Sequence, residues 1–127
     1  MSRCPSPSHA IVDLSAIAAN LAVVRKRAGG RKILFAVKAD AYGHGAVEVS
    51  RYVEKHHCAD WLAVATVAEG QELVEANITL PILKLSPVDP WDLDAAIESG
   101  MRLTVVDFDT LDAVNSAAGK RGVTVKI

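Results

Sequence analysis

Ile33-Leu34-Phe35-Ala36-Val37-Lys38-Ala39-Asp40-Ala41-Tyr42-Gly43-His44-Gly45 sets an apolar run, one lysine and a turn with two glycines end to end. Residues 33–37 carry no polar side chain, as in a strand of a parallel sheet whose faces are both covered by helices. Lys38 then emerges at the carboxyl end of that strand. In open α/β sheets and in (β/α)8 barrels this edge carries the ligand site, because loops vary there while strands fix their roots. A primary amine in that place attacks an aldehyde once deprotonated, and partial desolvation or nearby positive charge lowers a lysine pKa. Gly43 and Gly45 are the residues whose backbone N–H groups would approach a phosphate. A plain surface lysine in a loop is the other reading of the same residues.

The remainder of the chain alternates in the same manner. A helix over about 15–28 puts Ile17, Leu21 and Val24 on one face and stops at Gly29-Gly30. A helix over about 46–56 follows the Lys38 strand, and then a strand over 61–64. Thr66 and Glu69, three residues apart, predict a capping box for a helix ending near Asn77, with Leu73 and Val74 at buried positions. Residues 81–85 predict a third strand, and Asp89-Pro90 a cap residue with proline in the first position of a helix that ends at Gly100. A fourth strand over 102–106, a capped helix over 109–118 and a fifth strand over 123–127 complete the pattern. Such alternation calls for right-handed crossovers and a parallel sheet. Five strands of an eight-stranded barrel leave two unpaired edges, so the chain reads as truncated; a doubly wound open sheet, which needs no closure, is the alternative.

At 127 residues, half of them apolar, with a formal charge of −1, the chain has the size of one small domain and lacks the basic excess of a nucleic-acid binder. No apolar run approaches the roughly 20 residues that cross a bilayer, and the first residues lack the hydrophobic region of a signal peptide. The expectation is a cytoplasmic protein, with no membrane segment, whose residues 1–10 are a flexible lead-in. Cys4 and Cys58 have no ligand-like spacing, which predicts two reduced thiols and no metal site.

Residues 36–45 resemble the pyridoxal-phosphate signature of the alanine racemases. Val12-Asp13-Leu14-Ser15-Ala16-Ile17 followed by Asn20 resembles that family's opening segment. Trp61-Leu62-Ala63-Val64-Ala65-Thr66, with Glu69 and Leu73, resembles its second barrel strand and the helix after it, although Ala63 stands where a glycine is common. The resemblance implies a (β/α)8 TIM barrel that binds pyridoxal 5′-phosphate, of which residues 11–127 are about the first five β/α units. The later strands and the family's β-rich carboxyl-terminal domain have no counterpart in this sequence.

What the resemblance implies for function is pyridoxal-phosphate-dependent interconversion of L- and D-alanine, supplying D-alanine for cell-wall peptidoglycan, in a homodimer with shared active sites. Lys38 would hold the cofactor as a Schiff base and act as the base on one face of the substrate α-carbon. The cofactor ring serves as the electron sink that makes the α-proton removable. Tyr42 would place its hydroxyl on the cofactor phosphate, and Lys126 would be a carbamylated lysine orienting an arginine further along the chain. The second base, a tyrosine in the family, belongs to a neighbouring subunit's missing domain, so this chain alone is expected to bind cofactor at best. Read without the family, Tyr42 is equally a half-buried ring anchoring the loop, and Lys126 a strand-end lysine in solvent. Serine, arginine or lysine racemases carry a similar signature. A non-catalytic pyridoxal-phosphate homeostasis barrel and an inert assembly fragment are the readings from other classes.

The other polar residues have plainer roles. His44 is expected to support the loop by hydrogen bonding, and Asp40 to orient or cap it. His56-His57 ends a helix, where an imidazolium complements the dipole. Asn77-Ile78-Thr79 has glycosylation spacing without, in a cytoplasmic protein, a transferase to meet. Trp61 and Trp91 are expected to fill core or interface space.

Overall fold

A computed structural model describes residues 9–127; Cys4 and most of the expected lead-in lie outside the described residues. The elements run α1 (Leu14–Ala28), β1 (Leu34–Ala36), α2 (Lys38–Gly43), α3 (Ala46–Lys55), β2 (Trp61–Val64), α4 (Val67–Glu75), β3 (Ile82–Lys84), α5 (Leu93–Glu98), β4 (Arg102–Leu103) and α6 (Phe108–Arg121). The strands form one parallel sheet in chain order, β1-β2-β3-β4, with Ala36 opposite Ala63, Ala63 opposite Leu83 and Leu83 opposite Arg102. Neighbours in sequence are neighbours in the sheet, so the sheet is wound in one direction, as in a barrel; the doubly wound order, which reverses, is absent.

Paired residues of a parallel ladder share a face, and side chains alternate along each strand. Phe35, Leu62, Val64, Ile82 and Leu103 therefore lie on one face, where they pack with Val49, Val53, Leu73, Ile97 and Val114 from α3 to α6. Each such side chain contributes about 1.5–3 kcal/mol by leaving water. The opposite face carries Leu34, Ala36, Trp61, Ala63, Leu83 and Arg102 and has no helix over it. It is the face that a closed barrel turns inward.

Local chemistry explains the element ends. Asp13 caps α1 through Oδ1, which accepts from Ser15 and Ala16 N–H at 2.9 and 3.2 Å, and left-handed Gly29 ends that helix. The Thr66–Glu69 capping box opens α4 as expected. Gly70 of α4 packs directly on Met101, leaving no room for a β-carbon.

The structure departs from the expected elements in several places. Residues 123–127 form no regular strand: one hydrogen bond, Leu103 N–H to the Lys126 carbonyl at 3.1 Å, ties them to β4. A strand needs a ladder, and β4 offers only two residues with no further neighbour on the other side. Asp89 caps a turn instead of a helix, its carbonyl accepting from Asp92 N–H at 3.0 Å, and α5 starts at Leu93 with no side-chain cap. Pro90 thus takes the second position of a turn, to which its fixed φ is equally suited. Asp107, and no residue within the expected 109–118 span, caps α6. Val74 and Val24 are substantially exposed, Val24 because α1's apolar face looks onto the uncovered edge of β1. Trp91 is 79% exposed and fills no core space.

Candidate active site

Lys38 follows β1 directly. Val37 is buried with the helices, and Lys38 sits just past the strand whose open face carries Leu34 and Ala36, with Ala36 opposite Ala63 of β2. Ala36 and Ala63, the last open-face residues of β1 and β2, are small and leave space for a bound group. Lys38 is half-buried, and among the described residues its Nζ has no hydrogen-bond partner.

The chain after Lys38 takes an unusual path. Ala39, Asp40, Ala41 and Tyr42 have φ between 50° and 56° and ψ between 37° and 52°, so α2 is one turn of left-handed helix built from non-glycine residues. Each such residue costs about 1–2 kcal/mol for the approach of Cβ to the following carbonyl. Local bonds hold it. Ala41 N–H donates to the Val37 carbonyl at 2.8 Å, Gly45 N–H to the Asp40 carbonyl at 3.0 Å, and Ala46 N–H to Asp40 Oδ1 at 2.7 Å. His44 Nδ1 lies 2.9 Å from the Ala41 carbonyl and 3.2 Å from that of Tyr42. Asp40 and His44 thus have the loop-capping and loop-supporting roles expected of them. Gly45 N–H, expected to approach a phosphate, is occupied within the turn, because the left-handed path folds back on itself.

Glu69 joins this turn to the next loop. Its Oε1 accepts from Ala39 N–H at 2.9 Å, and its Oε2 from Ala65 and Thr66 N–H at 2.7 and 3.1 Å. Burial pushes the carboxyl pKa up, but the three N–H donors and the Lys38 charge outweigh it and hold the pKa below the usual glutamate value. The cap role of Glu69 is legible in its spacing from Thr66; its reach to Ala39, thirty residues away, has no local signal.

The other expected residues are more scattered. Tyr42 is 60% exposed, so it does not anchor the loop as a half-buried ring. With His44, Ala36, Ile17, Val24 and Phe35 it lines an apolar cavity of about 570 Å³ along the unpaired edge of β1, which Lys38 does not line. Lys126 is exposed and lies beside β4. Two further groups were not foreseen. On the open face the Arg102 guanidinium stacks on Trp61, 4.2 Å from the ring centroid. On the helix side Lys84 is buried and its Nζ donates to Ser86 Oγ and to the Ser86 and Pro87 carbonyls at 2.9–3.1 Å. Among the described residues no cluster of three or more His, Cys, Asp or Glu side chains is placed to hold a metal ion.

Residues 12–127, which include Lys38 at the end of β1 and the turn after it, match a family model, the alanine racemase amino-terminal domain. The chain belongs to that family. It is 85% identical, along its whole length, to an alanine racemase of Cutibacterium acnes, of which it covers 34%. The structure superposes on an alanine racemase of Clostridium difficile 630 with a TM-score of 0.80 at 37% identity, over 90% of this chain and 30% of that one. A histidine racemase from Leuconostoc mesenteroides superposes with a TM-score of 0.79 at 24% identity, a likeness of fold alone. The chain thus spans about a third of the length of these relatives, and its sheet of four strands is the opening part of the family's barrel domain. No helix among the described residues is long and apolar enough to cross a membrane.

Proposed function

We propose that the full-length parent of this chain is a pyridoxal-phosphate-dependent alanine racemase acting in the cytoplasm as a homodimer, and that Lys38 is its cofactor lysine. The carrying observation is Lys38 at the carboxyl end of β1, next to the small open-face residues Ala36 and Ala63 and with no hydrogen bond to its Nζ among the described residues, in a chain 85% identical to an alanine racemase. That arrangement fits the group: the amine is free to condense with an aldehyde, and Ala36 and Ala63 leave room over the sheet. When bound, the cofactor supplies the electron sink that makes a substrate α-proton acidic. Lys38 Nζ would then hold or move the proton on one face of the α-carbon, while the exposed Tyr42 hydroxyl would donate to the phosphate.

The remaining division of labour follows the family resemblance. Residues 11–127 would be the amino-terminal portion of the barrel, with the apolar cavity beside β1 covered when later strands close it. Lys126 would carry a carbamate that orients an arginine beyond Ile127. The second base would come from the carboxyl-terminal domain of a neighbouring subunit, so the isolated chain would bind cofactor without racemising.

The test is borohydride reduction of the cofactor-loaded parent followed by peptide mapping, with racemisation assayed on alanine, serine, lysine, arginine and histidine. Attachment at Lys38 and highest kcat/KM with alanine are expected. A label on any other residue rejects the lysine assignment, and a preference for another amino acid rejects the substrate.

A further inference from the structure

We propose that Glu69 is a positioning residue for Lys38: its one carboxylate locks the Lys38–Ala39 peptide to the loop after β2 and so fixes the direction in which the amine leaves the end of β1. The inference rests on the reading of Lys38 as the cofactor lysine. The residues on either side of Lys38 are both held through their backbone N–H groups, one by β2 and one by the first turn of α4. Val37 N–H donates to the Ala63 carbonyl at 2.9 Å, and Ala39 N–H to Glu69 Oε1 at 2.9 Å. The first is an ordinary ladder bond. The second stands where the ladder has ended and the left-handed turn begins, and it orients the peptide plane that follows the lysine.

The carboxylate is matched to this task. Oε2 is taken by Ala65 and Thr66 N–H, and Oε1 by Ala39 N–H, so each oxygen faces donors only. An amide must turn its NH2 toward one set or the other, so glutamine keeps one loop and loses the second. Aspartate keeps the charge but is shorter by one bond of about 1.5 Å, too short to span both loops. If Glu69 only capped α4, Thr66 would matter as much, since its Oγ1 accepts from Glu69 N–H at 3.1 Å in the same capping box. Among the described residues no hydrogen bond joins Thr66 to the Lys38 turn.

The experiment compares Glu69→Gln, Glu69→Asp and Thr66→Ala in the full-length parent. Hydrogen exchange at the Ala39 amide, read in cofactor-free protein, reports the tie itself and does not depend on where the cofactor attaches. Pyridoxal phosphate affinity and the visible circular dichroism per bound cofactor report the direction of the amine. Glu69→Gln and Glu69→Asp are expected to speed Ala39 exchange, to weaken cofactor binding by about tenfold or more and to alter the circular dichroism, as a misplacement near 1 Å does to a bound group. Thr66→Ala is expected to lower thermal stability while leaving all three readouts near wild type. Unchanged Ala39 exchange, or changed exchange with unchanged affinity and circular dichroism, overturns the proposal. Should Glu69→Gln not fold, Glu69→Asp, which keeps the charge at the helix end, decides by the same readouts. A borohydride label away from Lys38 would reject the cofactor-lysine reading while the Ala39 exchange result still stood.

Discussion

Replacing Ala39 and Ala41 by glycine, one at a time, separates the backbone cost of the left-handed turn from its packing. Both residues have φ near 50°, but Ala39 is exposed and Ala41 is buried. Removing Cβ at such an angle gains about 1–2 kcal/mol. Glycine also frees the open chain, which takes back about 0.4–1 kcal/mol. The backbone balance is about 0.8 kcal/mol in favour of glycine, or about fourfold in an opening equilibrium. Ala39→Gly should realise that gain in full. Ala41→Gly should lose about 0.8 kcal/mol of methyl burial and finish near zero. Native-state hydrogen exchange at the Ala41 and Gly45 amides, which bond to the Val37 and Asp40 carbonyls, reads both changes locally in the full-length parent. Slower exchange in Ala39→Gly with little change in Ala41→Gly is expected. Faster exchange in Ala39→Gly would mean that the turn is not held in the left-handed region and would refute the reasoning.

Three other outcomes follow from the packing and the carboxylates. Gly70→Ala drives a β-carbon into Met101 Sδ and should destabilise the parent by about 1–3 kcal/mol, with the loss relieved in a Met101→Ala background; a thermal double-mutant cycle measures it. Lys84→Met strips the Ser86 and Pro87 carbonyls of their donor and should cost about 1–3 kcal/mol, seen as a lower melting temperature and faster exchange in the β3–α5 loop. Glu54 Oε1 accepts from Thr79 N–H, Thr79 Oγ1 and Leu80 N–H; burial opposes ionisation, but these bonds hold its pKa below the ordinary value of 4.5. A depressed carboxyl stabilises the fold fully above its unfolded pKa and loses that contribution as pH falls through the lower folded value. Glu54→Gln should therefore flatten the drop in melting temperature below about pH 4.5, and an unchanged acid limb would exclude the Glu54 bonds as its source.

Most of the order and kind of the elements, and the place of Lys38 at the end of β1, could be read from the residues alone. Those follow from short-range physics: apolar runs of strand length, a 3.6-residue period, the Thr66–Glu69 capping pair and the glycines that end α1. It erred where two local solutions have similar energy, as at Asp89-Pro90, which serves a turn or a helix start equally, or where regularity depends on a neighbour, as for residues 123–127 beside a two-residue β4. That the residues after Lys38 wind to the left came from the folded context, because four non-glycine residues adopt that path only when surrounding bonds outweigh its steric cost. The same holds for the Glu69 tie to Ala39, the stacking of Arg102 on Trp61 and the burial of Lys84. Each joins groups twenty or more residues apart, or depends on which face of the sheet the helices cover, and neither is written in the local pattern of side chains.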